Sequence, residues 1–282
     1  MMDDLKVIQK DKLSSVLKAF VKISAILTMA ILIIMVAYIL IQGIPNLSLK
    51  QFEWKYTSDN VSMIPALVNT VIITVLSLLI ALPFGIGSAI YLVEYAKKGS
   101  RFVEVVRLTT ETLSGIPSII FGLFGMLFLC IFCKLDYSLI AGVLTLSIMI
   151  LPLIMRTTEE ALKAVPDSYR EGSYGLGAGK VRTIFKIVLP SALPGILNGV
   201  ILSIGRIVGE SAALIYTAGT LPQIAANVTL SGRSLSVHMY ALLSEGLYVK
   251  EAYGTAVVLL LLVIVINALS NLLAKKMGGQ HE

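Results

Sequence analysis

Six long apolar runs, separated by short polar stretches, constrain this chain more than any other feature of its sequence. A helix needs about 20 apolar residues to cross the hydrocarbon core of a bilayer, and it satisfies its own backbone hydrogen bonds there. Charged residues make up 14% of the chain, whereas a soluble domain averages about 25%. The sequence therefore predicts an all-α polytopic membrane protein with six transmembrane helices, at 20–44, 66–93, 105–132, 138–155, 195–218 and 254–274.

The distribution of lysine and arginine predicts how these spans are oriented. If the N-terminus is cytosolic, 17 of the 23 basic residues fall in inner segments and five in outer loops, as the positive-inside rule requires. The net charge of +6 is then an orientation signal and does not indicate a nucleic-acid partner. We expect a cytosolic tail at 1–19 and a single transmembrane domain at 20–282, with both termini inside and a long cytosolic loop at 156–194.

The glycine-rich stretch of this inner loop, from Gly175 to Val181, invites comparison with a phosphate-binding loop. That motif needs a glycine five residues before its Gly-Lys pair and a serine or threonine after the lysine to bind magnesium. Here those two positions hold Tyr174 and Val181. We therefore expect no nucleotide site in this chain.

The same loop carries signals for a short helix followed by a tight turn. Ser168 and Glu171 have the spacing of a capping box, which would start a helix at Ser168. The glycines from Gly175 to Gly179 would end it, since glycine adopts positive φ at little cost. Pro190 suits the first turn of the next helix. These residues alone leave two interpretations open: an ordinary connection, or an element that receives force from a docked partner.

The spacing of the loop resembles the EAA motif of ABC-importer permeases, with glycine and serine in place of the two alanines. The matching residues are Glu171, Gly172, Ser173, Gly177, Ile187, Leu189 and Pro190. The resemblance covers nearly the whole chain and implies a type I importer permease fold, in which this loop is the coupling helix seated on a separate ATPase subunit. It also implies that the chain is not an enzyme and binds no cofactor, since ATP and Mg²⁺ are used by the ATPase.

Two further segments narrow the resemblance to the permeases of phosphate importers. Leu113 to Gly122 looks like their third-span signature, and Arg206 to Leu214 is similar to the fifth-span signature of PstA subunits. The usual form has Thr-Ala-Pro after the glutamate, so Ser211 and Ala213 depart from it. A PstA-like subunit implies as partners a PstC-like permease, ABC ATPase subunits and an extracellular phosphate-binding protein, in a bacterial or archaeal cytoplasmic membrane.

Arg206 and Glu210 are two charged residues within the fifth predicted span. A charge near the bilayer centre costs about 2.5–3.5 kcal/mol on insertion scales, so both require a reason to be there. Four residues apart on a helix, they share a face and can neutralise each other. Alternatively, Arg206 faces a water-filled pathway and binds an oxyanion, while Glu210 holds Arg206 in its orientation. A guanidinium suits an oxyanion because its planar donors match two oxygens at once.

The remaining reactive groups suggest no catalytic or metal site. Cys130 and Cys133 have no second pair and no nearby histidine, so we interpret them as small apolar residues of the bundle. His238 is expected at the surface of the outer loop 219–253. Three carboxylates at inner helix ends are interpreted as interface charges: Glu94, Glu104 and Glu111.

Two rival functions remain open. One arginine does not fix the substrate, so the same machine could import another oxyanion, such as sulfate, molybdate or phosphonate. In the other rival, the inner loop is merely structural and the chain is an ATP-independent transporter or a channel. Co-purification with an ATPase subunit separates these two classes.

Overall fold

The computed structural model describes residues 2–97 and 99–278. These ranges contain α-helices, short 3₁₀ and π-helical segments and no β-strand, which confirms the predicted all-α class. Residues 1, 98 and 279–282, which fall in predicted inner segments, lie outside the described part. The helices are α1 (Met2–Gly43), α2 (Ile64–Ile90), α3 (Arg101–Ser114), α4 (Ser118–Phe124), α5 (Leu139–Ala164), α6 (Asp167–Gly175), α7 (Lys180–Thr183), α8 (Leu189–Val208), α9 (Ala212–Ile215), α10 (Leu235–Glu245) and α11 (Val249–Gly278).

Within residues 2–97 and 99–278, five helical stretches are long and apolar enough to cross a membrane. They correspond to five of the six predicted spans, with different bounds, and they are Ser14–Asn46, Ile64–Tyr95, Leu139–Ala164, Lys180–Val208 and Val249–Leu269. The bounds differ because polar residues next to an apolar run continue the helix past the point where hydropathy falls. The span predicted at 138–155, for example, continues as helix to Ala164.

The third predicted span, 105–132, is not one helix. α3 and the stretch Ser118–Phe132 meet at an angle of 103°. Pro117 has no backbone N–H to donate, and the residue before a proline is pushed out of the α region, so the helix ends there. Arg107 of α3 forms an ion pair with Glu159 of α5 at 2.6 Å. α3 is therefore held against the inner part of α5, and the apolar stretch after the bend is the part that packs among the other helices.

α5 is the central helix of the bundle. About two thirds (67%) of its most apolar stretch is buried, whereas that of α1 is 0% buried. α2 and α8 pack on α5, α11 packs on α8, and α1 packs on α11. Between α2 and α5, the hydroxyl groups of Ser77 and Ser147 donate to backbone carbonyls of the facing helix at 3.3 Å. Small polar residues of this kind allow two helices to approach closely in a membrane.

The fifth predicted span, 195–218, is shifted along the chain. Its helix runs from Lys180 through the π-helical segment Ile184–Val188 into α8 and stops at Val208. Residues 209–211 are not helical, and the single turn of α9 follows them. As expected, part of the outer loop 219–253 folds back on the bundle, since α10 packs against α2, α9 and α11.

Candidate functional site

The inner loop folds as a short helix, a glycine turn and a second helix, as predicted. α6 ends at Gly175 and α7 begins at Lys180. Between them Gly177 has a φ of +83°, a conformation that L side chains rarely adopt. Its backbone N–H donates to the carbonyl of Tyr174 at 2.9 Å, which closes the turn.

The capping box predicted at Ser168 and Glu171 is not formed. α6 begins at Asp167, one residue before the predicted start, and the residue at its N-cap is Pro166, which has no side-chain cap. Proline fixes the extended backbone that precedes the helix. Asp167 places a negative charge in the first turn, where it is favourable to the helix dipole. The start of α6 is therefore set by a rigid proline and a charge.

The residues that match the EAA motif divide into an inward and an outward group. Ser173 is buried, and its hydroxyl lies 2.8 Å from that of Thr183. Glu171 and Gly172 are exposed, and a side chain at Gly172 would meet nothing within 4 Å. Ser173 has to be small because it packs closely on Thr183. Gly172 faces open space, so close packing does not explain its small size. Further along, Leu189 packs against a cluster of buried apolar residues that includes Leu162 and Val188. Ile187 is half-buried and Pro190 is exposed.

Arg170 ties α6 to two other helices, a role that sequence reasoning missed. Its guanidinium donates to Glu94 Oε1 from Nε at 3.1 Å and from Nη2 at 2.8 Å, and the side chain of Glu94 is 6% exposed. It also donates to the carbonyls of Leu162 and Val165, at 2.9 and 2.8 Å, at the C-terminus of α5. Those carbonyls lack partners within the helix, so Arg170 caps α5. The interpretation of Glu94 as an interface charge is wrong, because it is a buried ion-pair partner.

A second contact joins the inner loop to the same end of α2. The ammonium group of Lys180, the first residue of α7, lies 4.8 Å from the centroid of the Tyr95 ring. Glu94 and Tyr95 both belong to the π-helical segment Tyr91–Tyr95 that ends the second span. Isolated π-helical turns often occur at functional sites. The beginning of α6 and the beginning of α7 are thus both attached to one turn of one transmembrane helix.

The outward face of the inner loop is apolar. Leu176, in the turn, is 91% exposed. Four other large side chains of the loop are also exposed: Tyr169, Tyr174, Val181 and Phe185. Exposed large apolar side chains that cluster on a surface are typical of a protein interaction site. The loop therefore exposes apolar side chains, while Ser173 and Arg170 hold it to the bundle.

Arg206 and Glu210 do not form the predicted pair on one helix. α8 ends at Val208, so Glu210 lies beyond it, and no ion pair joins the two side chains. Glu210 Oε1 instead accepts a hydrogen bond from the backbone N–H of Ala213 at 3.1 Å. The hydroxyl of Ser236 donates to the backbone carbonyl of Glu210. Glu210 therefore organises the break between α8 and α9 and does not orient Arg206.

Arg206 is a half-buried cation without a partner in the part of the chain that the structure describes. It lies in the last turn of α8, and its guanidinium has no hydrogen bond or ion pair with the side chains that the structure describes, those of 14–97, 99–269 and 272. The neighbouring Gly205 has open space where a side chain would be. A guanidinium in this setting can bind an anion without first breaking an ion pair.

The two signature segments lie against each other in the fold. A Cβ atom added to Gly122 of α4 would be 2.8 Å from the Cα of Ala213, at the start of α9. Glycine is required at this position because the two backbones touch. The break of the third span thus brings its apolar half against the turn that follows Arg206. Of the two cysteines nearby, Cys130 is buried, Cys133 is exposed, and both are free thiols.

Comparison with known proteins places these features in a family. Residues 81–278 match the model of the binding-protein-dependent transport system inner membrane component. Over 261 residues the chain is 32% identical to the probable ABC transporter permease protein YqgI of Bacillus subtilis, covering 84% of this chain and 87% of that one. Over 241 residues it is 32% identical to the phosphate transport system permease protein PstA of Yersinia pestis, covering 83% and 81%. A solved bacterial alginate ABC transporter, in complex with an alginate pentasaccharide-bound periplasmic protein, shares the fold with a TM-score of 0.62, at 16% identity, over 89% of this chain and 95% of that one.

Proposed function

The chain belongs to the binding-protein-dependent transport system inner membrane components, and we propose that within this family it is a PstA-like permease that imports phosphate. It is a membrane-spanning subunit of an ABC importer and not itself an enzyme. Support for phosphate comes from the similarity to phosphate transport permeases and from Arg206. The observation that carries the proposal is that this half-buried arginine has no carboxylate partner among the described residues.

In this proposal Arg206 binds the oxyanion as it crosses the membrane. Keeping a charge inside a membrane protein is costly, and such residues mark substrate pathways more often than they stabilise the fold. A guanidinium offers planar donors that match two phosphate oxygens. Glu210 contributes indirectly: it holds the start of α9 through Ala213 and so fixes the end of α8, where Arg206 lies.

The inner loop couples this pathway to ATP hydrolysis. The exposed apolar face around Leu176 docks on an ABC ATPase subunit, which binds ATP and Mg²⁺. Movement of α6 passes to the bundle through Arg170, because this side chain contacts both Glu94 at the end of α2 and the carbonyls that end α5. Glu171, Gly177 and the stretch Ile187–Pro190 form the remainder of this coupling element.

The complete importer contains more subunits than this one. We propose a PstC-like permease as the second membrane subunit, two copies of the ATPase, and an extracellular phosphate-binding protein that delivers substrate to the outer side. The cytoplasmic membrane of a bacterium or an archaeon is the proposed location. The solved alginate transporter, whose structure includes a periplasmic protein with bound substrate, is an example of this general arrangement.

Uptake of radiolabelled phosphate by the reconstituted importer tests the proposal. Arg206→Gln should abolish uptake while the complex still assembles, and sulfate and molybdate should compete poorly with phosphate for the unmodified protein. Lys250→Gln is the matched control, since it removes one exposed positive charge outside the pathway and should leave uptake unchanged. Full uptake by Arg206→Gln would remove this residue from the pathway. Equal competition by sulfate would favour the rival oxyanion function.

A further inference from the structure

A second arginine without a carboxylate partner lies in the segment before α10. Arg233 is 3% exposed, and its Nε and Nη2 atoms have no hydrogen-bond partner in the described part of the chain. Its guanidinium carbon lies 4.8 Å from the centroid of the Tyr56 ring. Burial lowers the pKa of Arg233, because the charged form loses its hydration. Two buried nitrogen atoms of a cation are therefore left without an acceptor.

His238 lies beside this arginine, one turn into α10, and the expectation that it is a surface residue is wrong. Its side chain is fully buried. The backbone of Val61 pairs with one ring nitrogen, and the other has no hydrogen-bond partner among the described residues. Its ring packs edge-on against Tyr56, with the centroids 6.2 Å apart. Burial, together with the nearby charge of Arg233, lowers the pKa of His238 to about 3. The imidazole is therefore neutral at physiological pH, with one nitrogen carrying a proton and the other free to accept one.

The segment 53–62, which we name the outer strap, helps to cover both groups through Tyr56. Asn60 folds it: the amide donates to Glu53 Oε2 at 2.7 Å and to the carbonyl of Lys55 at 2.9 Å. Val61 has a φ of +46°, which is strained for a β-branched residue. Strained backbone persists where the surrounding structure holds it in place, and it often accompanies a functional site.

Unsatisfied buried polar groups need an explanation, because nearly all such groups in folded proteins have a partner. Here three nitrogen atoms on two neighbouring side chains lack one: Nε and Nη2 of Arg233, and the ring nitrogen of His238 that does not face Val61. No carboxylate oxygen of the described residues lies within 4.0 Å of the guanidinium. A cation that is buried without a counter-ion costs several kcal/mol, so its burial is best explained by an anion that it binds.

We propose that Arg233 and His238 form a second oxyanion site, beneath the outer strap, which binds a phosphate ion that still carries a proton. The site rests on the proposed function, since it names an additional position for the same substrate. Arg233 donates two N–H groups to phosphate oxygens. One ring nitrogen of His238 accepts a hydrogen bond from the phosphate, while its other ring nitrogen faces the backbone of Val61. A phosphate with a P–OH group can donate to the accepting nitrogen, whereas sulfate at neutral pH has no proton to donate. The site therefore favours phosphate over sulfate.

Thermal unfolding of the assembled importer in nanodiscs tests the second site. The measurements use inorganic phosphate, sulfate or chloride at equal ionic strength, with Arg206→Gln as the background so that the pathway arginine is absent. A ligand that binds the folded state raises the unfolding temperature as its concentration exceeds the dissociation constant. We expect phosphate to raise it by several degrees more than sulfate or chloride, and we expect Arg233→Gln to remove this difference. The importer is measured without the extracellular phosphate-binding protein, because phosphate bound to that subunit would survive Arg233→Gln.

Two substitutions at His238 keep the test decisive if Arg233→Gln does not fold. His238→Gln retains a donor and an acceptor and should keep the phosphate effect, whereas His238→Phe retains a buried ring and should lose it. A phosphate effect that is absent in the Arg206→Gln background would overturn the site, as would one that survives Arg233→Gln or is matched by sulfate. An adventitious lipid phosphodiester at the site would show as stability that does not depend on added phosphate. Phosphate uptake by the unmodified importer tests the proposed function independently.

Discussion

The arginines of the inner side and the two arginines further along the chain occupy opposite electrostatic settings. Arg107, Arg156 and Arg170 lie 2.6, 3.0 and 2.8 Å from carboxylate oxygens. Among the side chains that the structure describes, at 14–97, 99–269 and 272, no carboxylate oxygen lies within 4.0 Å of Arg206 or Arg233. The fold therefore neutralises these three arginines of the inner side, whereas the half-buried Arg206 and the buried Arg233 have no such counter-ion.

This difference separates cations that hold helices together from cations that are free to bind a ligand. A paired arginine fixes two elements relative to each other, as Arg170 does for α6 and α2. A buried or half-buried arginine without a partner weakens the fold, and binding an anion relieves that cost. The presence of a partner is thus a better guide to the role of an arginine here than its position in the sequence.

The largest expected effect comes from breaking the buried pair on the inner side. Arg170→Gln leaves Glu94 buried without its counter-charge and removes the donor to two carbonyls of α5, which we expect to cost about 3–5 kcal/mol of stability. Phosphate transported per ATP hydrolysed should also fall, because α6 is no longer attached to α2. Thermal unfolding of the importer and the ratio of uptake to hydrolysis measure the two effects.

Arg156→Gln is the matched control for this change. Arg156 and Glu160 form an exposed pair four residues apart on α5, and solvent-exposed pairs of this kind contribute little to stability. The double variant Glu94→Gln with Arg170→Gln should be less destabilised than the sum of the two single variants, since it leaves no buried charge unpaired. If Arg170→Gln is no worse than Arg156→Gln, the contrast between buried and exposed pairs is wrong.

The second expected effect is a pH dependence of stability that arises from His238, which lies near the unpaired Arg233. His238 faces the charge of Arg233 and the ring of Tyr56, and its pKa in the folded protein is about 3, below the ordinary value of 6.5. The unfolded state therefore binds more protons between these values. Stability from the neutral imidazole is fully present above pH 6.5 and falls as the pH is lowered toward 3, by about 2 kcal/mol between pH 6.5 and 5.

Thermal unfolding from pH 7.5 to 5 measures this loss. His238→Phe has no proton to gain at this position, so the difference in unfolding temperature between the unmodified protein and this variant should change below pH 6.5. His238→Gln serves as a second control that keeps the polarity of the side chain. Parallel pH profiles for all three proteins would show that His238 is not buried in its neutral form.

Features that depend on neighbouring residues could be predicted from the sequence. The apolar runs gave five of the spans, and the glycines after Tyr174 predicted the turn in which Gly177 has positive φ. A bend in the third span could also be predicted, because Gly115 and Pro117 are both helix-breaking residues that favour a kink there. Hydropathy averaged over 105–132 does not show how sharp the bend is. The end of α8 was missed in the same way, since the pairing of Arg206 with Glu210 assumes a helix that continues past Gly209.

Features that depend on distant residues could not be predicted. Arg170 and Glu94 are 76 positions apart, and nothing in either sequence neighbourhood indicates the other. The burial of His238 depends on the outer strap, which comes from a different loop and shows no periodicity that would place it over α10. The roles of Arg206, Glu210 and the EAA-like residues in transport remain predictions, because they concern a ligand and partners that bind to this chain.

The smallest expected effect shows how much of the placement of α6 depends on its backbone and how much on the Arg170 pair. Gly177→Ala forces a side chain into a left-handed conformation, at a cost of about 1–2 kcal/mol, although the space beside Gly177 is open. Gly172→Ala is the matched change, because it has equal space, lies within the helix and should stabilise it by about 0.5–1 kcal/mol. Gly177→Ala should lower both the amount of ATPase that co-purifies and the unfolding temperature. Gly172→Ala should leave the co-purified amount unchanged and should not lower the unfolding temperature. Equal behaviour of the two variants would mean that the turn is not needed to place α6, and that Arg170 and Ser173 position it without the glycine conformation.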